Sequence, residues 1–286
     1  MTDLKIIECP RDAMQGLHDF IPTETKIQYI NSLLKCGFDT IDFGSFVSAK
    51  AIPQLRDTAE VLNKLELNNS TSKLLAIVAN ERGAQDACNF QEIQYLGFPF
   101  SVSETFQERN TNSSIEESLI RVEAIQNLAI QNNKELVLYL SMGFGNPYGD
   151  EWNSDIVIQW SELLYSKLDV KIQALSDTIG VATIDSIEQL FKALIPALPN
   201  VEFGAHLHTV QEKAKDIVKA AYSAGCRRFD SAIKGFGGCP MATDDLTGNM
   251  PTEKMLEWFN ENNIHTGVNH TEFNNSMSLA LSVFPN

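Results

Sequence analysis

The 286-residue chain carries 37 acidic against 22 basic residues, a formal net charge of -15. That balance excludes partners held mainly by phosphate neutralisation, bulk nucleic acid above all, and no apolar run reaches the ~18 to 20 residues that span a bilayer. Five cysteines without a Cys-x-x-Cys pair fit free thiols in a reducing compartment, the cytoplasm in the simplest reading.

The first apolar run, Leu4 to Ile7, begins so near Met1 that no targeting peptide is expected ahead of it. It opens a series of eight short runs rich in branched and aromatic residues, at 4–8, 40–46, 73–79, 93–101, 136–142, 171–176, 201–207 and 228–233. Several are apolar throughout, as strands covered on both faces are. Helical patterns lie between them. Ile115, Leu119, Val122, Ile125 and Ala129 share one helical face, and Ser114 with Glu117 forms a capping box at its start. Ala214, Ile217, Val218 and Ala221 repeat the pattern after the seventh run. Two further helices, near 252–262 and 271–283, are expected outside or across the sheet.

Strand and helix in alternation are the mark of βαβ units on a parallel sheet. The first strand runs into Cys9-Pro10-Arg11-Asp12, not into the glycine-rich phosphate turn of an open, doubly wound sheet. The predicted fold class is therefore α/β, a single (β/α)8 TIM barrel with extra C-terminal helices. No linker or shift of composition divides the chain, so residues 1–286 are expected to form one catalytic domain.

In such a barrel the βα loops at the carboxyl ends of the strands converge over one mouth. The polar residues there are Arg11 and Asp12, Asp42, Asp177, His206 and His208, and, after the last strand, the turn Gly235 to Pro240 followed by Asn249. His206 and His208 stand two apart on an extended segment, which turns both imidazoles to one face. With the Asp12 carboxylate and an amide oxygen such as that of Asn249 they would make two nitrogen and two oxygen ligands, a set suited to octahedral Mg²⁺ or Mn²⁺ and less to Fe²⁺ or Zn²⁺; the alternative is a pair of core or surface histidines. Arg11 is a fixed cation suited to a developing enolate or a carboxylate; its structural alternative is a salt bridge with Asp42 or Asp177. Cys239 is either a loop thiol that reaches the reacting atoms or an inert cysteine. Asp177 either contacts substrate or caps the helix that follows it.

The segment Pro10-Arg11-Asp12-Ala13-Met14-Gln15 resembles the Pro-Arg-Asp-Gly-Leu-Gln turn of the hydroxymethylglutaryl-CoA lyase family. Further matches follow in order: Ser45-Phe46-Val47-Ser48 with Lys50, Pro53 and Gln54; Ser114 to Ser118; Ser176 to Val181; His206-x-His208; and Gly237-Gly238-Cys239-Pro240. The family's usual Glu is here Asp42, the acid after its H-x-H is Thr209, and Ala13-Met14 replaces Gly-Leu. The interval from Cys239 to Asn249 is one residue longer, so Asn249 is matched through Gly248-Asn249.

The resemblance implies a pyruvate carboxyltransferase-like barrel that splits 3-hydroxy-3-methylglutaryl-CoA into acetoacetate and acetyl-CoA, in leucine degradation or ketone-body-type metabolism. It implies that Asp12, His206, His208 and Asn249 ligate the divalent cation, that Arg11 steadies the enolate, that Cys239 is a catalytic thiol, and that Asp42 and Asp177 assist. Ser45 and Lys50 become candidates for holding the acyl-CoA, although Lys50 reads equally as a solvated lysine. A homodimer is expected, without a stripe that identifies its interface. The competing expectations are a Claisen-type synthase or 2-oxo acid aldolase on the same barrel, or a non-catalytic small-molecule sensor.

Overall fold

A computed structural model of the protein describes residues 4–238 and 247–284. Strands β1 (Lys5–Glu8), β2 (Thr40–Ser45), β3 (Lys73–Ile77), β4 (Ile93–Ser101), β5 (Glu135–Ser141), β6 (Ile172–Asp177), β7 (Glu202–Leu207) and β8 (Arg228–Ser231) follow the eight expected runs. Each pairs in parallel with the next, and β8 returns to β1, Lys5 opposite Arg228 and Glu8 opposite Ser231, to close the barrel. Closure leaves no free edge to the sheet.

Helices α1 (Pro10–Gln15) and α2 (Thr23–Leu34) follow β1; α3 (Thr58–Leu62), α4 (Glu81–Cys88), α5 (Glu104–Thr111) and α6 (Ile115–Gln131) occupy the next three crossovers. Then come α7 (Ser154–Leu168), α8 (Ile184–Ala197), α9 (Ala214–Ser223), α10 (Thr252–Glu261) and α11 (His270–Val283). The capping box at Ser114 and Glu117 is present at the start of α6, and Ala214, Ile217, Val218 and Ala221 are buried on α9. Helix α10 packs on α9 through Trp258 and Phe259 against Tyr222, with ring centroids 5.7 and 5.6 Å apart. Helix α11 lies outside the barrel against α2 and the turn beyond it, where Phe273 meets Phe38 edge-on at 6.2 Å. Among the described residues no helix is long and apolar enough to cross a membrane.

Most of the core lies between strands and helices. Inside the barrel a smaller cluster of Leu75, Ile77, Tyr95, Val137, Tyr139, Ile172 and Ala174 fills the β3–β6 side. The opposite wall, from β7, β8 and β1, is polar: Arg228 and Asp230 are buried there, with Glu202 and His206 less so.

Glu8, fully buried at the end of β1, accepts hydrogen bonds from the Ile233 amide at 2.8 Å and the Thr252 hydroxyl at 2.6 Å, tying the loop after β8 to the barrel. Burial pushes its carboxyl up from 4.5 to about 8, against those two hydrogen bonds. Between these pH values the folded chain keeps a proton the unfolded chain has released, so this group's contribution to stability falls as pH rises through that window and levels off above it. Glu8→Gln is expected to flatten that fall. The check is the difference in Tm between variant and wild type across the window; a difference independent of pH contradicts it.

Candidate active site

The mouth is built on short, stiff elements. Helix α1 starts directly off β1 with Pro10 at its first position, where the missing N–H costs nothing. One helical turn then lifts Arg11, Asp12 and Gln15 to one side. A register shift in β2 between Asp42 and Gly44 bends that strand at the same level.

Asp42, wholly buried, receives Arg11 in a two-pronged contact: Nε donates to Oδ1 and Oδ2 at 3.1 and 3.0 Å, and Nη2 donates to Oδ2. Nη1 donates to Asp12 Oδ1 at 2.8 Å and to Gln15 Oε1 at 3.0 Å. Among the described residues four of the five guanidinium N–H groups are thus spoken for, and one on Nη2 is left for a substrate. Burial opposes the charge on Arg11, but Asp42 and Asp12 outweigh it and hold the group protonated. Burial pushes Asp42 up to about 6 even opposite the guanidinium, so the pair is charged at neutral pH. The salt-bridge alternative for Arg11 therefore holds with Asp42, together with its place at the mouth.

Asp12 is held on three sides. Oδ1 also accepts from Gln15 Nε2 at 2.7 Å, and Oδ2 accepts from Asn249 Nδ2 at 2.8 Å. Burial works to raise its pKa, yet Arg11, His206, His208 and the Asn249 hydrogen bond bring it below the usual value. Asn249 reaches Asp12 through its nitrogen, whose other proton goes to the Phe236 carbonyl at 2.9 Å. In this geometry the amide orients the carboxylate. Gly237, at φ +90°, lets that chain pass: a Cβ there would lie 2.8 Å from Ala13 Cα, Asn249 Nδ2 and the Asp12 carbonyl.

His206 Nδ1 lies 3.1 Å from Asp230 Oδ2, and its ring stands edge-on to Tyr139 at 5.3 Å. Burial lowers the His206 pKa, but the hydrogen bond and charge of Asp230 outweigh it and leave it raised. Burial and the neighbouring His206 depress His208 to about 4, so its imidazole is neutral with a free lone pair. One ligand atom each from Asp12, His206 and His208 lie within 4.8 Å of one another. His208 Nδ1 is buried without a partner among the described residues. A carboxylate and two imidazoles at that spacing fit a divalent cation.

These groups line one side of a cavity of about 240 Å³; Val47, Ile52, Ile77, Ala79, Pro99 and Phe106 line the other, with Tyr139, Ser141, Ser176 and Thr178 also on the wall. Of the other sequence candidates, Asp177 braces the loop after β6, its two oxygens accepting from the Val181 and Ala182 amides at 3.0 and 2.7 Å. It does not cap the helix that follows; Thr183 does, accepting from the Ser186 amide. The Ser45 hydroxyl donates to the Ile77 carbonyl and accepts from the Val47 amide, shaping the turn rather than facing the cavity. Lys50 is exposed beside the cavity-lining Ala51 and Ile52. Cys239 lies outside the described residues.

Gln15, Tyr139 and Asp230 were not among the sequence candidates, nor were Phe106, Asn110 and Thr111 of α5, which line the cavity. Gln15 stands three and four residues after Asp12 and Arg11, a helical spacing that signals their contact once α1 is read as a helix.

The sequence model of the HMGL-like family matches residues 4–279. The rat cytoplasmic 3-hydroxy-3-methylglutaryl-CoA lyase is 33% identical over 268 residues, covering 93% of this chain and 76% of the relative. The solved HMG-CoA lyase of Brucella melitensis superimposes with a TM-score of 0.90 at 29% identity, over 99% of both chains. That of Acinetobacter baumannii, solved in complex with coenzyme A and 3-methylmalate, gives 0.89 at 28% identity over 98% of this chain and 91% of its own. A match that runs from the first strand into the last helix, on a barrel of the same shape, places this chain in the HMGL-like family.

Proposed function

We propose that the chain is a divalent-cation-dependent lyase that cleaves 3-hydroxy-3-methylglutaryl-CoA to acetoacetate and acetyl-CoA, with Mg²⁺ or Mn²⁺ held by Asp12, His206 and His208. The observation that carries this reading is the convergence of those three side chains with the unspent N–H of Arg11 on one cavity. The cation, when bound, supplies a Lewis acid for the oxygens of the substrate.

The chain's own residues account for the rest. Arg11 above all keeps Asp12 ionised, and Gln15 and Asn249 hold it aimed, so the carboxylate needs no reorganisation on binding. Arg11, fixed by Asp42, offers its remaining N–H to the oxygen of the thioester enolate, where charge develops as the carbon–carbon bond breaks. The apolar wall of Val47, Ile52, Ile77 and Pro99 excludes water from that charge and suits the methyl-bearing acyl chain. The tertiary hydroxyl of the substrate gives up its proton as its carbon becomes the ketone of acetoacetate, and the carbanion of acetyl-CoA takes up one; that second transfer is assigned to Cys239 on the family resemblance alone. A relative crystallised with coenzyme A supports an acyl-CoA substrate. The free thiols of Cys9, Cys36, Cys88 and Cys226 support a cytoplasmic setting.

Incubation of the purified protein with hydroxymethylglutaryl-CoA and Mg²⁺ or Mn²⁺ is expected to give acetoacetate and acetyl-CoA in equal amounts, and a chelator to stop it. Absence of both products with either cation contradicts the proposal. Lys50, exposed next to the mouth, is the proposed contact for the phosphates of CoA. Lys50→Ala is expected to raise KM about 3- to 10-fold and leave kcat within about twofold, since an exposed ion pair contributes little more than ~1 kcal/mol. An unchanged KM at low salt removes Lys50 from the site.

A further inference from the structure

Beneath the cavity, the β7–β8–β1 side of the barrel carries a column of alternating charge. At the bottom Lys5 Nζ meets Glu202 Oε2 at 2.5 Å, and Arg228 Nη1 meets Glu202 Oε1 at 3.1 Å. Two residues further along β8, on the same face of the strand, stands Asp230, whose Oδ2 lies 3.1 Å from His206 Nδ1. The lower pair is partly exposed, whereas Arg228 and Asp230 are 1% and 3% exposed.

Gly204 leaves the space for the arginine stem, since a Cβ there would lie 3.1 Å from Arg228 Cδ. The facing wall shows that an apolar filling suits this barrel. Two charges buried at this depth carry a desolvation cost that such a filling avoids, and they are not fully satisfied by one another: Arg228 Nε and Nη2 and Asp230 Oδ1 have no partner among the described residues. The column therefore calls for an explanation beyond stability.

Its upper end supplies one. A carboxylate only accepts hydrogen bonds, so the His206 nitrogen facing Asp230 is the one that carries the proton, and Nε2 is left with the lone pair. We propose that Asp230 is a positioning residue that locks His206 in the Nδ1–H tautomer and so presents Nε2 to the cation. The inference rests on the cation site proposed above. It assigns to the barrel floor the setting of tautomer and ring orientation, which for metal-bound histidines falls to an outer hydrogen-bond partner.

The test is ¹⁵N NMR of histidine-labelled, cation-free protein at ~pH 9, above the titration range of histidine, with the His206 signals among the five histidines assigned by their loss in His206→Gln. Wild type is expected to show His206 protonated at Nδ1. Asp230→Asn is expected to populate the Nε2–H form and to weaken Mn²⁺ binding, measured by calorimetry, about 10- to 100-fold. An Nε2–H tautomer in wild type overturns the proposal without any variant, so it stays testable if Asp230→Asn does not fold. A folded Asp230→Asn with unchanged tautomer and affinity overturns it too. Wild type that takes up no Mn²⁺ yet shows the Nδ1–H form sinks the cation site and leaves the part assigned to Asp230 standing.

Discussion

Arg11→Met is expected to lower kcat at least about 10²- to 10³-fold, the loss that follows removal of one donor aimed at a developing oxyanion. Mn²⁺ affinity is expected to stay within about threefold, because Gln15 and Asn249 still hold Asp12. The variant also strands Asp42, wholly buried and already pushed up to about 6 with its partner present. Asp42 will then take up a proton, and the Tm will fall, since breaking a buried pair costs about 3 to 5 kcal/mol when one charge is left alone. Removing both partners in Arg11→Met/Asp42→Ala separates the two roles: Tm is expected to recover in part and kcat not at all. Activity that recovers with Tm assigns Arg11 a structural role only.

His206→Ala is expected to weaken the cation more than about 100-fold, beyond the loss that follows removal of an outer partner, and His208→Ala likewise. Wild type should gain thermal stability from Mn²⁺, by about 2.7 kcal/mol at a hundredfold excess over Kd, and both variants should lose most of that gain. The His208 imidazole, neutral down to about pH 4, gives up no proton when it ligates, whereas His206 with its raised pKa does. Binding to wild type should therefore weaken on acidification through the loss of His206 before that of His208. Variants that keep the full stabilisation place the cation elsewhere.

The barrel was legible because strands covered on both faces are written as apolar runs, and β4 over Ile93–Ser101 has the bounds its composition predicts. Ends were less legible. β8 stops at Ser231 rather than 233, since Ile233 enters a tight turn in which Lys234 takes φ +57°. Helix α5 left no trace, because Glu104–Thr111 offers Phe106 as its one large apolar residue and so no stripe; a Ser103 cap and the brace from Asp150 hold it instead.

Among the candidate site residues, Arg11, Asp12, His206, His208 and Asn249 are legible as polar groups at or beyond strand ends. The same criterion also picks out Asp177 and Ser45, whose side chains hydrogen-bond to backbone groups of the loop after β6 and of the end of β3 and the turn after β2. A strand-end carboxylate or hydroxyl that braces a turn reads in sequence like one that faces a cavity. Asp230 was missed for the opposite reason: in Arg228-Phe229-Asp230-Ser231 alternate polar residues look like a solvent-facing side, and in a closed barrel that side is the lumen. Asp42 stands beside the register shift in β2 and takes Arg11 on both carboxylate oxygens.

The most direct measurement is a crystal of the protein grown with Mn²⁺, with anomalous diffraction collected to locate the ion. One peak is predicted within about 2.0 to 2.3 Å of Asp12, His206 and His208 side-chain atoms, beside the Arg11 guanidinium. A peak bound by other residues, or none at a saturating concentration of the ion, contradicts the account.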